Sequence, residues 1–179
     1  MIGGMDRRPE SGAVKKPVRC GGFHDTPEPC PRRGMTFMYT AKSLRLTQEG
    51  AQTIMEAAIR KAREIGVPMS IAIVDDGTNL FLFARMDGGK PHGIKIAQAK
   101  ARAAASNRMP TGRVGSTGNQ LDDVGALLLP LAAGPDMYVT MPGGLPIIVD
   151  GQCVGGIGAS GGTGQQDAEA CQAGLNALE

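Results

Sequence analysis

The sequence predicts a mixed α+β fold in which helices flank a mostly antiparallel sheet of about five strands. Apolar residues recur at helical spacing after residue 47, and short β-branched runs are separated by turns rich in Gly, Pro and Asp. Because these tight turns join most of the strands, hairpins dominate and the pairing is expected to be antiparallel. With 179 residues, the chain is long enough for one domain with its own core.

The first 37 residues are predicted to form an irregular tail, and residues 38–179 a single domain. Residues 1–34 contain five prolines and six glycines, with seven basic and four acidic side chains, so the basic character of the chain belongs to the tail. The domain has no basic stripe and few aromatic residues, which argues against nucleic-acid binding. No apolar run reaches the roughly 20 residues of a transmembrane helix, and the tail lacks the apolar stretch of a secretory signal.

The four cysteines form no Cys-x-x-Cys pair. Reduced thiols and a cytoplasmic location are therefore expected. Cys20, His24 and Cys30 of the tail could be imagined as zinc ligands, but a fourth ligand and the usual spacing are missing.

Helix and strand patterns alternate in the first half of the domain. Thr47 is the predicted N-cap of an amphipathic helix that ends at Gly66. Strands are predicted over residues 69–74 and 80–86, on either side of an Asp-Gly turn, and apolar side chains on both faces suggest a sheet covered on both sides. Residues 94–106 form the next predicted helix, whose many alanines allow a neighbour to approach closely.

The second half contains more turns. Thr117 and Gln120 resemble a capping box that opens a short helix through about Leu128, broken by Pro130. The remaining elements are three short strands and a final helix, at residues 137–141, 145–149, 152–159 and 165–178.

Residues 154–167 are typical of a buried strand, a glycine loop and a helix start. Free N–H groups at that helix end could hold an anion, or the glycines could simply allow tight packing. The G-x-G-x-x-G pattern ending at Gly161 is not a dinucleotide site, because no strand with an acidic residue follows it. The G-x-S-x-G pattern around Ser160 is a weak hydrolase signal, because both histidines, His24 and His92, precede it.

Four side chains of the domain could carry chemistry. His92 could be a general base or a metal ligand, or simply an exposed histidine at a helix start. Arg85 could clamp a carboxylate or form a surface ion pair. Lys100 could contact a ligand or extend to solvent from its helix, and Asp75 could act as a catalytic carboxylate or stabilise a turn.

Several short motifs, in consistent order over roughly residues 40–179, resemble the GlcG/HbpS family. Its first hairpin, the following helix, a central turn and a closing signature have counterparts here. The matching segments are AIVDDG (72–77), FARMDG (83–88), IAQAKARAA (96–104), MPGGLPI (141–147) and, within 151–161, VGGIGASG followed by Gln166-Asp167.

The resemblance implies a profilin- or PAS-like fold with about five antiparallel strands between helices, and tight homo-oligomers. It also implies haem as a cofactor, since the family includes haem-binding and haem-degrading proteins and the partner domain of a corrinoid adenosyltransferase. His92 is the candidate ligand of the haem iron, with Met86, Met109 and Met141 as weaker ones. Lys95 stands where the family usually has an acidic residue, so the mouth of this helix is more cationic and suits an anionic ligand such as a carboxylate or a haem propionate.

Three functions remain open on the sequence. The leading one is an oligomer that binds haem or a similar anionic ligand, and the family resemblance leaves haem degradation open as a further activity. The second is a cofactor-independent lyase, isomerase or dehalogenase for a small unsaturated or hydroxy acid, with Arg85 or Lys95 binding the carboxylate, and His92 or Asp75 moving the proton. The third is a non-catalytic binding or scaffold module.

The ligand site is expected where the segment from Arg85 to Lys100 meets the turns between residues 143 and 164. Their convergence across the sheet would build a positively biased pocket. The residues predicted to bind the ligand are Arg85, Lys100, Gly143, Gly144, Ser160, Gly161 and Gly162, and those predicted to be catalytic are His92, Lys95 and Asp75.

Overall fold

A computed structural model describes residues 41–178 as helices packed on both faces of a four-stranded antiparallel sheet. In chain order the elements are α1 (Gln48–Ile65), β1 (Ser70–Asp75), β2 (Leu80–Arg85), α2 (Gly93–Asn107), α3 (Asp123–Ala133), β3 (Gly144–Val149), β4 (Gln152–Ser160), α4 (Gly164–Leu175) and a 3₁₀ turn (Asn176–Leu178). The strand order is β2-β1-β4-β3, and each neighbouring pair is antiparallel. The predicted fold class is therefore confirmed, while the predicted tail over residues 1–37 lies outside the described residues.

The two faces of the sheet carry different cores because side chains alternate along a strand. Ile71, Ile73 and Ile157 point to one face, where they pack with α1 and α4. Ala72 and Val74 point to the other face, where they pack against the alanines of α2. The first core is thick and built from isoleucines, whereas the second is thin and built from alanines.

The thin core is possible because β4 carries glycines where α2 crosses it. A Cβ atom on Gly156 would lie 2.3 Å from the carbonyl oxygen of Ala101, and one on Gly158 would lie 2.3 Å from that of Ala97. Ala97, Ala101 and Ala105 share one face of α2 at four-residue spacing. Helix and strand backbones therefore touch directly, which fixes the position of α2 on the sheet.

The sequence predicted five strands, and the predicted strand over residues 137–141 is wrong. Residues 137–141 form turns and irregular chain, with the N–H groups of Met137 and Tyr138 donating to the carbonyl of Gly134. These bonds form a turn after α3, and residues 137–141 pair with no strand of the sheet.

The start and end of α3 also differ from the prediction. Instead of a capping box at Thr117 and Gln120, Val114 and Gln120 form an isolated antiparallel bridge. The helix begins after Asp122, whose carboxylate accepts from the N–H of Gly125 at 2.7 Å. Pro130 does not end the helix, because Thr140 donates its hydroxyl at 3.1 Å to the carbonyl of Ala126, which proline leaves without its helical partner.

None of the helices within residues 41–178 combines the length and the apolar character that a membrane crossing needs.

Candidate functional site

A pocket of about 320 Å³ lies between the N-terminal ends of α2 and α4, and we call it the α2–α4 pocket. The loop before α2 and α2 itself supply Lys90, His92 and Lys100 to its wall. The turn before β3 supplies Met141 and Pro142. The end of β4 and the start of α4 supply the rest of the lining used below, namely Ser160, Gly161, Gly162, Gly164 and Asp167. The structure thus brings the two predicted segments together, apart from Arg85.

A buried ion pair forms the inner wall of this pocket. The ammonium of Lys100 donates to the carboxylate of Asp167 at 2.7 Å and to the carbonyl of Ala159 at 2.9 Å. The side chains of Lys100 and Asp167 are only 4% and 3% exposed. The second carboxylate oxygen of Asp167 accepts from the N–H of Gly162 at 3.0 Å. The pair therefore joins α2 to α4 across the end of the sheet and also holds the glycine loop.

Glycines leave the space that Lys100 occupies. A Cβ atom on Gly143, whose φ is +112°, would lie 2.8 Å from Nζ of Lys100, and one on Gly144 would lie 2.5 Å from its carbonyl oxygen. On the other side, a Cβ atom on Gly158 would come within 2.9 Å of its Cβ. Gly143 and Gly144, predicted to bind the ligand, instead pack against the lysine that lines the pocket.

Cys171 of α4 lies beside the same ion pair. Its thiol donates to the carbonyl of Gly143 at 3.4 Å. Complete burial raises the pKa of the Cys171 thiol to about 12, with the carboxylate of Asp167 adding to the rise and the ammonium of Lys100 opposing it. The group stays protonated at neutral pH, so it is a packing residue with a weak hydrogen bond and has no thiolate character.

Two serines lie at the end of the pocket where α2 begins. Ser70 and Ser160 are paired across β1 and β4, and a Cβ atom on Gly93 would lie 3.5 Å and 3.6 Å from their hydroxyl oxygens. Ser160 is 9% exposed and lines the pocket, whereas Ser70 is fully buried behind it. Within residues 41–178, the Ser70 hydroxyl has no hydrogen-bond partner.

His92 lies at the mouth of the pocket, immediately before α2. It is exposed and its side chain makes no capping hydrogen bond to the helix. Lys90 is its exposed neighbour in the pocket wall. Since Asp167 is neutralised by Lys100, the charged side chains of the lining leave the pocket net positive.

Three predicted site residues lie elsewhere. Lys95 is exposed and lies 3.9 Å from Asp136, a surface contact of little energetic weight. Arg85 donates to the carbonyl of Gly89 at 2.9 Å and lines a different depression. Asp75 ends β1 at the end opposite to Ser70, where its carboxylate accepts from the N–H and the amide of Asn79. The turn interpretation of Asp75 therefore agrees with the geometry.

Asp167 was not predicted from the sequence as a site residue. It was interpreted as an acidic residue that stabilises the N-terminal end of the last helix. A signal was present, because Asp167 lies three and four positions before the buried Ala170 and Cys171, and therefore on the buried face of α4. Lys100 likewise shares the buried face of α2 with Ala97 and Ala104. Charges on two apolar faces usually pair with each other.

Met141 is the one of the three candidate methionines that lines the pocket. The sulfur of Met86 instead accepts from the N–H of Met69 at 3.4 Å. Within residues 41–178, no group of three or more His, Cys, Asp or Glu side chains is arranged to hold a metal ion. The candidate zinc ligands Cys20, His24 and Cys30 lie outside the described residues.

Fold and site together define a class of protein, namely an α+β domain with a ligand pocket between two helix N-termini. A family model described as "Haem degrading protein HbpS-like" matches residues 46–176. Protein GlcG of Escherichia coli (strain K12) is 35% identical in an alignment of 121 positions that covers 64% of this chain and 81% of GlcG. The chain therefore belongs to the GlcG/HbpS family, as its motifs predicted.

Solved structures show the same likeness. Protein ORFY of Klebsiella pneumoniae superposes with a TM-score of 0.68 at 31% identity, over 79% of this chain and 96% of ORFY. A structure described as a PduOC:Heme complex superposes with a TM-score of 0.66 at 26% identity, over 75% of this chain and 95% of the other.

Proposed function

We propose that the α2–α4 pocket binds haem, with His92 as the ligand of the iron. The observation that carries the proposal is an exposed imidazole at the mouth of a net-positive pocket. Imidazole is the commonest protein ligand of haem iron, and cations favour the propionates. Ile96, Met141 and Pro142 add apolar surface to the lining. A relative crystallised as a PduOC:Heme complex supports the same ligand.

The chemistry of a bound haem would come from its iron, and the protein's share is binding and orientation. The pocket is at the small end of the range of about 300–1,000 Å³ typical of ligand sites. Its volume suits an acidic side chain of a larger ligand better than a macrocycle. His92 at the mouth would then contact the iron, and Lys100 at the inner wall would contact an acidic side chain of the same ligand. Haem degradation stays a prediction from the resemblance.

Hemin titration tests this assignment. We expect the wild-type protein to shift the Soret band at stoichiometric hemin, and His92→Ala to weaken binding by at least tenfold, because the imidazole nitrogen is lost. His24→Ala, which removes the only other histidine of the chain, is the matched control and should bind as the wild type does. Identical titrations of the wild type and His92→Ala would disprove the assignment.

The geometry gives less support to an enzyme acting on small acids with Lys95 or Asp75. Lys95 faces Asp136 on the surface, and Asp75 lies at the far end of β1, so neither joins His92 in the pocket. Of the residues assigned to that chemistry, His92 and the glycine loop remain.

We also propose that α3 mediates self-association. Helix α3 is apolar around most of its circumference, and much of this apolar surface is exposed. The side chains with 57–72% exposure are Val124, Leu127, Leu128 and Leu131. Exposed apolar surface of this kind marks an interaction site, and the family resemblance favours a second copy as the partner. Met141 and Pro142 line both the α2–α4 pocket and the depression beside α3, so the interface would border the ligand site.

A charge reversal of this surface tests the interface. Leu127→Glu/Leu131→Glu should convert the oligomer into monomers, measured by light scattering after size-exclusion chromatography, since two carboxylates cannot be buried unpaired. Leu80→Glu, at an exposed apolar position of the edge strand β2, is the control and should leave the mass unchanged. Dissociation by the control but not by the α3 variant would place the interface on β2 instead.

A further inference from the structure

The inner end of the α2–α4 pocket offers more hydrogen-bond donors than the fold uses. A lysine ammonium has three N–H groups. Within residues 41–178, the ammonium of Lys100 donates to two acceptors, the carbonyl of Ala159 and the carboxylate of Asp167. One of its three N–H groups therefore remains for a ligand. Because Lys100 is part of the pocket wall and its stem is fixed by the surrounding glycines, this donor is preorganised for a ligand.

Ser160 adds a second donor from the strand side. The residue is 9% exposed and lines the pocket, and its hydroxyl has no partner among the hydrogen bonds formed within residues 41–178. The neighbouring Ser70 hydroxyl is fully buried and equally without a partner in that range. A ligand that supplies an acceptor to the Ser160 hydroxyl would give this donor the partner that the fold does not provide.

The first turn of α4 supplies backbone donors on a third side. The N–H groups of Gly162, Thr163 and Gln166 are bonded to side chains of the loop. Those of Gly164 and Gln165 have no partner within the described part of the chain. They lie at the positive end of a twelve-residue helix, which favours negative charge.

We propose that Lys100, Ser160 and the first turn of α4 form a subsite for one carboxylate group of an organic acid. A single negative charge fits better than a double one, because Asp167 already neutralises Lys100 and its carboxylate lies 2.7 Å from the ammonium. The inference rests on the proposal that this pocket is the ligand site, but it does not require the ligand to be haem. The carboxylate could come from a haem propionate or from a small free acid.

The first experiment uses propionate, with propionamide as its uncharged isostere and inorganic phosphate as the dianion. Titrations of the full chain are followed by the amide NMR signals of Gly162, Gly164 and Gln165. We expect propionate to bind at least tenfold more tightly than propionamide or phosphate. Equal binding of propionamide or tighter binding of phosphate would overturn the subsite. So would the absence of propionate binding combined with hemin binding that is insensitive to Ser160→Ala.

Variants then assign the donors. Ser160→Ala should weaken propionate binding about tenfold, whereas Ser106→Ala, an exposed serine of α2, should leave it unchanged. An unchanged affinity in Ser160→Ala would remove this residue and with it the proposed arrangement.

Hemin and its dimethyl ester separate the two sources of the carboxylate. If a propionate enters the subsite, esterification and Ser160→Ala each weaken hemin binding about tenfold and are not additive. If a small acid is the ligand, free propionate binds and hemin is insensitive to Ser160→Ala. Insensitivity of both ligands to Ser160→Ala overturns the subsite. Propionate binding without any Soret shift overturns the haem proposal alone.

Discussion

Replacement of Lys100 by methionine should cost about 3–5 kcal/mol of the free energy of unfolding, since it leaves the carboxylate of Asp167 buried without its cation. The double variant Lys100→Met/Asp167→Leu should recover most of this loss, because an apolar pair needs no desolvated charge. It still loses the bond from Gly162 to Asp167, worth roughly 1 kcal/mol. Urea unfolding at a fixed protein concentration measures both values.

Lys61→Met is the control for the stability loss expected in Lys100→Met. The ammonium of Lys61 lies 2.9 Å from the carboxylate of Glu169, but this pair is at the surface, so we expect a much smaller loss than for Lys100→Met. A Lys100→Met protein as stable as the control would show that the inner pair is hydrated. A double variant as unstable as the sum of its two single variants would show that the two side chains are not coupled.

The double variant also separates stability from binding. Because it removes the ammonium but restores a paired environment, it should fold and fail to bind propionate. A structural role alone predicts the opposite, namely normal propionate binding once folding is restored. Lys100 and Asp167 are thus tested as a binding device independently of their effect on the fold.

The sequence predicted those elements whose burial follows local periodicity. Thr47 caps α1 and accepts from the N–H of Gly50, and Gly66 ends the helix with φ of +76°, both at the predicted positions. The pairs β1–β2 and β3–β4 follow from turns that the chain itself encodes. Local patterns were sufficient here because each element has one polar and one apolar face, or a turn residue at its end.

The prediction failed where contacts distant in sequence decide the structure. The end of α3 depends on Thr140, which compensates for Pro130 from ten residues further along. Without that contact, a proline in an apolar run indicates a helix end. The segment 137–141 has the composition of a strand, but its first two N–H groups donate to the carbonyl of Gly134 and it pairs with neither edge strand, β2 or β3, and nothing within the segment reveals this.

The site shows the same division. His92 was found because histidine is rare in this chain, and Ser160 and the glycines because of their motif. The partnership of Lys100 with Asp167 spans 67 residues and depends on how α2 and α4 lie on opposite faces of the sheet. Arg85 was predicted to clamp a ligand carboxylate, but it lies on the edge strand β2 and donates to the carbonyl of Gly89 outside the pocket.

Alanine at Gly156 or Gly158 should destabilise the protein by about 3 kcal/mol, the upper end of the usual cost of overpacking. In most strands alanine is better than glycine, by roughly 0.5–1 kcal/mol, so the expected sign is reversed here. The reason is the approach of α2, whose carbonyl oxygens would lie 2.3 Å from either new Cβ atom. Gly112→Ala is the control, since nothing lies within 4 Å of its Cβ position, and it should change stability by less than about 0.5 kcal/mol.

The two glycines should differ in their effect on the pocket. A Cβ atom on Gly158 would lie 2.9 Å from Cβ of Lys100, whereas one on Gly156 would contact Ala101 and Ala105, further along α2 from the pocket. Gly158→Ala should therefore weaken propionate binding in the fraction that remains folded, and Gly156→Ala should not. Equal affinities in the two variants would mean that α2 moves as a rigid body, so that the position of Lys100 is set by its bond to Asp167 and not by the strand beneath it.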